Sequence, residues 1–232
     1  MESPFPRVLP LLPDVDHDYT FAFNGTWCRD ERCMVTLYSR NIGDYLVALL
    51  RDESAALATQ GRTLAVVGSV AWVTDQPLLD ALAAYALAGV CLVMQNEEWL
   101  RAEKFARLPA CTRRHWMPNP PLSSPDNDTP AAAWVAGTIN TTNAAAWPRM
   151  HRKTLVLCWT DATSGAITPY AVWTGSFNMT DNARASIEDA MVAHSERLAA
   201  YAFNEFRCVL AHATPLVPRD PATFASQTSP KA

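Results

Sequence analysis

Apolar and polar positions follow two periods along this chain, and the alternation of the two predicts its elements. From residue 42 to about 58, Tyr45, Leu46, Leu49, Leu50 and Leu57 recur at helical spacing, with Asn41 placed as a cap and Gly61 as the stop. Residues 63–73 form a continuous β-branched and apolar run, the pattern of a strand buried on both faces. Asp75 and Pro77 open a second helix over 78–88 that ends at Gly89, and residues 90–94 are the next buried strand. A strand, helix, strand unit of this length allows a right-handed parallel crossover. Short strands are also expected at 20–24 and 34–38, and a further helix at 97–108.

The second half repeats the theme after an interruption. Residues 117–131 carry Pro118, Pro120, Pro121, Pro125 and Pro130 among Ser, Asp and Asn, which predicts a long loop or insertion, a lid if it lies near a site. A short strand is expected at 134–139. Core strands follow at 150–159 and 169–174, separated by a connection containing Gly165, and a short strand at 188–192. Residues 195–210 read as a helix with Leu198, Tyr201, Ala202, Phe206 and Val209 on one side. The resulting expectation is an α/β fold, a mixed, mostly parallel sheet with helices on both faces. One domain spans 19–214, preceded by a flexible arm (1–18) and followed by a disordered tail (215–232).

Composition narrows the functional classes. A net charge of -4 and a pI of about 5.7 leave no basic surplus of the kind nucleic-acid binders carry. Such a ligand would need a local groove, for which Arg107, Arg113, Arg114, Arg149, Arg152 and Lys153 are the candidates. Pro6, Pro10 and Pro13 interrupt the apolar stretch near the start, so no secretory signal is expected, and no segment has the length of a membrane span. The six cysteines (Cys28, Cys33, Cys91, Cys111, Cys158 and Cys208) include no Cys-x-x-Cys pair. That predicts free thiols in the reducing cytoplasm, with no zinc site and no disulfide framework. The sequons at Asn24, Asn140 and Asn178 are then chance matches.

Five residues carry chemistry. His151 and Lys153 share one face of a strand because side chains alternate, while Arg152 points to the other. The next strand runs into Gly175-Ser176-Phe177-Asn178, where glycine permits a tight turn that brings Ser176 and Asn178 toward the same end of the sheet. Histidine is a nucleophile tunable near neutral pH, lysine a fixed cation, and Ser and Asn neutral hydrogen-bond donors. Together they are suited to surround and attack a phosphate without a metal or other cofactor.

His151-Arg152-Lys153 followed by Gly175-Ser176-Phe177-Asn178 resembles the HKD signature of the phospholipase D superfamily. The resemblance extends from Pro169 to Glu188 and into the closing helix, and residues 63–94 are similar to the family's first strand, helix, strand unit. The family pattern places an aspartate five residues after the lysine, where this chain has Cys158; Asp161 is out of register. The resemblance implies the phospholipase D-like fold and a metal-independent phosphodiesterase. His151 would form a phosphohistidine, with Lys153, Ser176 and Asn178 holding the phosphate oxygens and Glu188 fixing a histidine ring. Because one motif copy supplies one nucleophile and no acid, it also implies a symmetric homodimer with His151 of both subunits facing one phosphate.

The leading expectation is therefore a nuclease acting on DNA or RNA, with Arg113, Arg114 and Arg152 as candidate substrate contacts. A phospholipase D-type headgroup hydrolase or transferase and a catalytically silent nucleic-acid-binding module remain alternatives, and His115 is an alternative internal acid. No membrane partner is expected. His17, His194 and His212 read as surface or helix-end residues, Trp72, Trp159 and Trp173 as core, and Asp75 as a helix cap.

Overall fold

Strand and helix patterns resolve into nine strands and five helices among the described residues of the computed structural model, which are 19–23, 33–38, 41–121, 124–140, 150–161, 163–186 and 188–218. In chain order they are β1 (Tyr19–Phe23), β2 (Cys33–Tyr38), α1 (Ile42–Ala58), β3 (Arg62–Val70), α2 (Gln76–Tyr85), β4 (Gly89–Glu97) and α3 (Arg113–Trp116). They continue with β5 (Ala133–Asn140), β6 (Lys153–Asp161), β7 (Ile167–Gly175), α4 (Asp181–Arg184), β8 (Ala190–His194), α5 (Glu196–Leu210) and β9 (Thr214–Pro215). The arm at 1–18 lies outside the described residues, so its expected flexibility is untouched here.

The strands form one sheet in the order β1-β2-β8-β7-β6-β3-β4-β5-β9. Only β3–β4 and β4–β5 are parallel; the other six neighbours are antiparallel. The sheet is mixed, as expected, but mostly antiparallel, which corrects the expected strand direction. The β3–α2–β4 crossover is parallel as its pattern indicated. The connection after β6, with Gly165 at φ 64°, is too short for a crossover and makes a hairpin instead.

Alternation along the central strands divides the core into two layers. Leu64, Val66 and Val70 of β3 and Leu155 and Leu157 of β6 pack with Leu46 and Leu50 of α1 and Leu78 and Leu82 of α2. Ala65, Val67, Val156 and Cys158 pack on the opposite side with Ala199, Phe203, Phe206 and Leu210 of α5. Each fully buried Leu or Phe contributes about 1.5–3 kcal/mol, so both layers are needed to offset chain entropy. Helices on both faces are thus as expected.

Several local expectations change. Residues 97–108 form no long helix: β4 runs on to Glu97, and only Ala102–Phe105 makes a 3-10 turn, anchored by Leu100, Phe105 and Leu108. Asn41 precedes α1 in a left-handed conformation and its side chain makes no capping bond. On α5, Ser195 accepts from Leu198 N and caps the helix, yet the buried face is rotated from the expected one, leaving Tyr201 65% exposed. Phe203 and Phe206 stack with ring centroids 6.0 Å apart and decide which stripe faces the sheet. Past α5 the chain adds β9 to the edge of β5, with Leu216 buried, so regular pairing continues beyond residue 214.

Candidate active site

Four strand ends meet at one edge of the sheet. Register pairs Val70 of β3 with Lys153 of β6, Thr154 with Thr174 of β7, and Gly175 of β7 with Ala190 of β8. His151 stands just ahead of β6, and main-chain bonds on both sides hold it there. Ala71 N donates to Arg152 O at 2.7 Å, and Met150 N donates to the buried Gln95 Oε1 at 2.8 Å. An exposed imidazole is thereby presented from a fixed backbone.

Lys153 is only 8% exposed, and its Nζ lies 3.1 Å from His151 Nε2, 3.2 Å from Nδ1 and 3.3 Å from the His151 carbonyl oxygen. The ammonium therefore sits under the ring. Burial lowers the Lys153 pKa from its ordinary value, and the Glu188 carboxylate partly restores it. Trp72, continuing the line of β3, meets His151 edge to face with centroids 5.6 Å apart. Its Nε1 donates to the buried Glu97 at 3.0 Å, which fixes the indole.

The Gly-Ser-x-Asn turn is built by close approach. A Cβ on Gly175 would lie 2.1 Å from Asp189 O, so only glycine lets β7 and β8 come together here. Ser176 N donates to Asp189 O at 2.8 Å, Asp189 N donates to Ser176 Oγ at 3.0 Å, and Ser176 Oγ donates to Glu188. Glu188 thus holds the serine hydroxyl, where a histidine N–H was expected. Phe177 and Met179 are buried anchors on either side of Asn178, whose Oδ1 is buried and has no hydrogen-bond partner among the described residues. A buried amide left unpaired has an interaction still to make.

Ion pairs lock this turn to the rest of the fold. Met179, at φ 49°, accepts from Thr74 N at 3.0 Å and Asp75 N at 3.1 Å. Asp75 is fully buried, caps α2 through Leu78 N, and is gripped from both oxygens by Arg184, which also reaches Asp44. These carboxylates raise the Arg184 pKa above its ordinary value despite its burial. The capping role expected of Asp75 is present; the arginine clamp is additional. Gly43 leaves room for that guanidinium, since a Cβ there would lie 2.8 Å from Arg184 Cζ.

Beside these residues opens a cleft of about 590 Å³, lined by Trp72, Thr74, Glu97, Trp99, Asn178 and Glu188 and by polar residues of the segment around α4. That volume is in the range of small-molecule sites. No cluster of three His, Cys, Asp or Glu side chains is placed to hold a metal among the described residues.

The candidate substrate arginines lie elsewhere. Arg113 is 1% exposed and donates to Ser124, Asn127 and Ala213 O while stacking on Trp134, so it organises the Pro-rich segment from within. That segment, which includes a 3-10 turn at Pro125–Asp128, is held on the α5 side of the sheet and its described residues do not line the cleft. Arg114 pairs with Asp128, and Arg152 with Glu205 on α5. His115 packs edge to face on Trp116, and burial lowers its pKa. Arg149 is outside the described residues. Cys158 is fully buried in the α5 layer, facing away from the side that carries Lys153, and burial pushes its thiol well up. Asp161 accepts from Thr163 N and Ser164 N in the hairpin connection.

Trp72, Glu97 and the Asp75–Arg184 clamp are site features the sequence reading missed. Trp72 was read as core because β3 looked uniformly buried. Its even-numbered phase, shared with Val66 and Val70, was the available signal that it ends beside Lys153. His194 was read as a surface residue; it is half-buried and paired with Glu53.

No family model matches the chain, and no curated protein matches it. Solved structures similar to it include a phospholipase D family member, Nuc from Salmonella typhimurium, at 15% identity and TM-score 0.46, covering 80% of this chain and 99% of that one. NucT from Helicobacter pylori is similar at 12% identity and TM-score 0.47, covering 80% and 100%. Polyphosphate kinase from Porphyromonas gingivalis is similar at 13% identity and TM-score 0.42, with 81% of this chain matched to 27% of that one.

Proposed function

We propose that this protein is a phosphodiesterase of the phospholipase D type that cleaves nucleic acid through a covalent histidine intermediate. The observation that carries the reading is the buried Lys153 ammonium held under the ring of exposed His151, at a cleft edge that also presents Asn178 and the Ser176–Glu188 pair. A fixed cation there neutralises non-bridging oxygens as charge moves onto them in the transition state, without the solvent reorganisation that water would need. The arrangement needs no metal for that role.

In the reaction, an unprotonated nitrogen of His151 attacks phosphorus as the P–O bond to the leaving group breaks. The leaving oxygen takes a proton from a second imidazole. Water then attacks the phosphohistidine, giving its proton to that second imidazole as the N–P bond breaks, and free His151 is restored. Asn178 and Lys153 hold the oxygens, and Ser176, fixed by Glu188, lines their seat. The second imidazole is His151 of another copy across a twofold axis, since the described residues bring no other histidine to the first. The reaction needs one imidazole unprotonated and the other protonated, which gives a bell-shaped pH profile. Among the described residues no helix is long and apolar enough to cross a membrane.

Cleavage of plasmid and single-stranded DNA in EDTA tests this directly. Turnover that survives chelation and disappears in His151→Ala supports the reading, and headgroup release from phospholipid vesicles with no nucleic-acid cleavage would replace it. Light scattering on the active species tests the shared site: a purely monomeric active enzyme would refute it.

A further inference from the structure

Trp99 is unusual among the tryptophans of the described residues in standing 45% exposed, and it does so on the wall of the cleft. Its position is fixed from below: Leu100, next in the chain, is buried in the α1–α2 layer, and its N–H donates to Glu97 O at 3.2 Å. Glu97 in turn holds Trp72. The indole therefore presents a flat π face to the cleft from a fixed turn.

The rest of the lining specifies what that is. Asn178, Asn182, Thr180, Thr74 and Ser186 give neutral donors and acceptors, and no Lys or Arg is among the described lining residues. The two carboxylates are already engaged, Glu97 by the Trp72 N–H and Glu188 by the Ser176 hydroxyl. Such a surface carries no cation to match a run of phosphates. It suits an uncharged aromatic ring that stacks on one face and makes hydrogen bonds from its edge, and the Asn182 amide and Thr180 hydroxyl on the cleft wall match such an edge.

We propose that Trp99 is the stacking platform for the nucleobase next to the scissile phosphate, so that the cleft takes an unpaired base from single-stranded nucleic acid. This rests on the phosphodiesterase reading above and adds the group that is recognised. A base inside a duplex has both faces covered by its neighbours and cannot reach the indole without leaving the stack. The scissile phosphate then falls at Lys153 and His151, across Trp72 from the platform.

Two single-stranded oligonucleotides decide it, identical except that one lacks the base beside the cleaved bond. Wild-type protein should prefer the base-bearing strand through KM, and Trp99→Ala should shrink that preference about tenfold with little change in kcat. Trp99→Phe, which keeps a π face, should restore most of it. An equal effect of Trp99→Ala on both strands overturns the proposal. Anisotropy in the His151→Ala background reads the same comparison without turnover: tighter binding of the base-bearing strand, lost with Trp99→Ala, supports stacking, and equal affinities overturn it. Glycerophosphocholine is the third ligand. If Trp99→Ala weakens its binding and leaves the oligonucleotides untouched, the indole serves a cationic headgroup and the proposal falls. Absence of cleavage with base-dependent binding intact would instead remove the phosphodiesterase reading and keep the platform.

Discussion

Two histidines sit at opposite ends of the sheet, one ahead of β6 and one at the end of β8, and keep different company. His151, at the edge shared by β6 and β3, has an ammonium under its ring and a tryptophan edge beside it. His194, at the far end of β8, has its Nε2 2.7 Å from Glu53 on α1, and Tyr170 donates to the other oxygen of that carboxylate at 2.9 Å. The Glu53 carboxylate ties a helix to the sheet through both of its oxygens. At His151 the cation faces a ring instead of an anion, and the carboxylate within reach, Glu188, is turned to a serine. His194 Nδ1 is itself buried without a partner among the described residues, so what sets His151 apart is its cation. The Lys153 ammonium makes no ion pair with a carboxylate among the described residues and lies beside an exposed imidazole, an arrangement prepared for an anion from outside.

The largest effect should come from breaking the open cluster at its centre. His151→Ala and Lys153→Ala should each lower phosphodiester turnover by about a thousandfold or more, with melting temperature within a few degrees of wild type for the exposed His151. The same substitution at His194 should do the reverse, keeping turnover within severalfold while lowering stability by about 1.5–3 kcal/mol in denaturant titration, because Glu53 loses a charged hydrogen bond. Equal loss of activity in both variants would erase the distinction.

Next in size is the clamp behind the site. Arg184→Ala leaves fully buried Asp75 without its partner and should cost about 3–5 kcal/mol. Because Met179 hangs from the same residues, kcat should fall along with stability, where His194→Ala lowers stability alone. Gly175→Ala would test the same coupling from the sheet side, by forcing β7 and β8 apart at the serine.

The pH responses sharpen the contrast with smaller effects. Burial pushes the Glu53 carboxyl up, but hydrogen bonds from His194 and Tyr170 outweigh it and hold the group below the usual carboxylate range. Its folded pKa is depressed, so its stabilisation is complete above the unfolded value and is lost as pH falls through the folded one. Glu53→Gln should flatten the acid side of a stability profile. Lys153 is lowered by burial, so its charged form is the costly one; stability rises as it deprotonates, while activity falls. The alkaline limb of turnover should therefore lie below the ordinary lysine range. The smallest change belongs to Cys158→Ser, which should cost about 1–3 kcal/mol for a buried hydroxyl and leave kcat within twofold.

What could be read from the chain followed from periodicity and local chemistry. The strand expected at 63–73, which in the structure ends at Val70, the helix at 42–58, the crossover and the nearness of His151 to Lys153 are each encoded within a few residues of one another. Strand direction was not legible, because an uninterrupted apolar run looks the same in parallel and antiparallel sheets when helices cover both faces. The helix expected at 97–108 failed because three apolar anchors at irregular spacing resemble one helical stripe. The Asp75–Arg184 pair spans 109 residues and leaves no local trace, and Arg113 looked like surface because nothing nearby in sequence announces its buried partners.

Cys158 shows how the sheet works as a partition. Strand β6 carries the chemical side chains in one phase and the α5 packing in the other, so a residue in the second phase can drift in size and polarity without altering the first. Cys158, buried in the same layer as Phe203, stands at such a position, where the signature the sequence resembles has an aspartate. A sheet partitioned in this way lets the back layer be rebuilt without moving His151 or Lys153, and its two sides are read by taking residues in alternate steps along the strand.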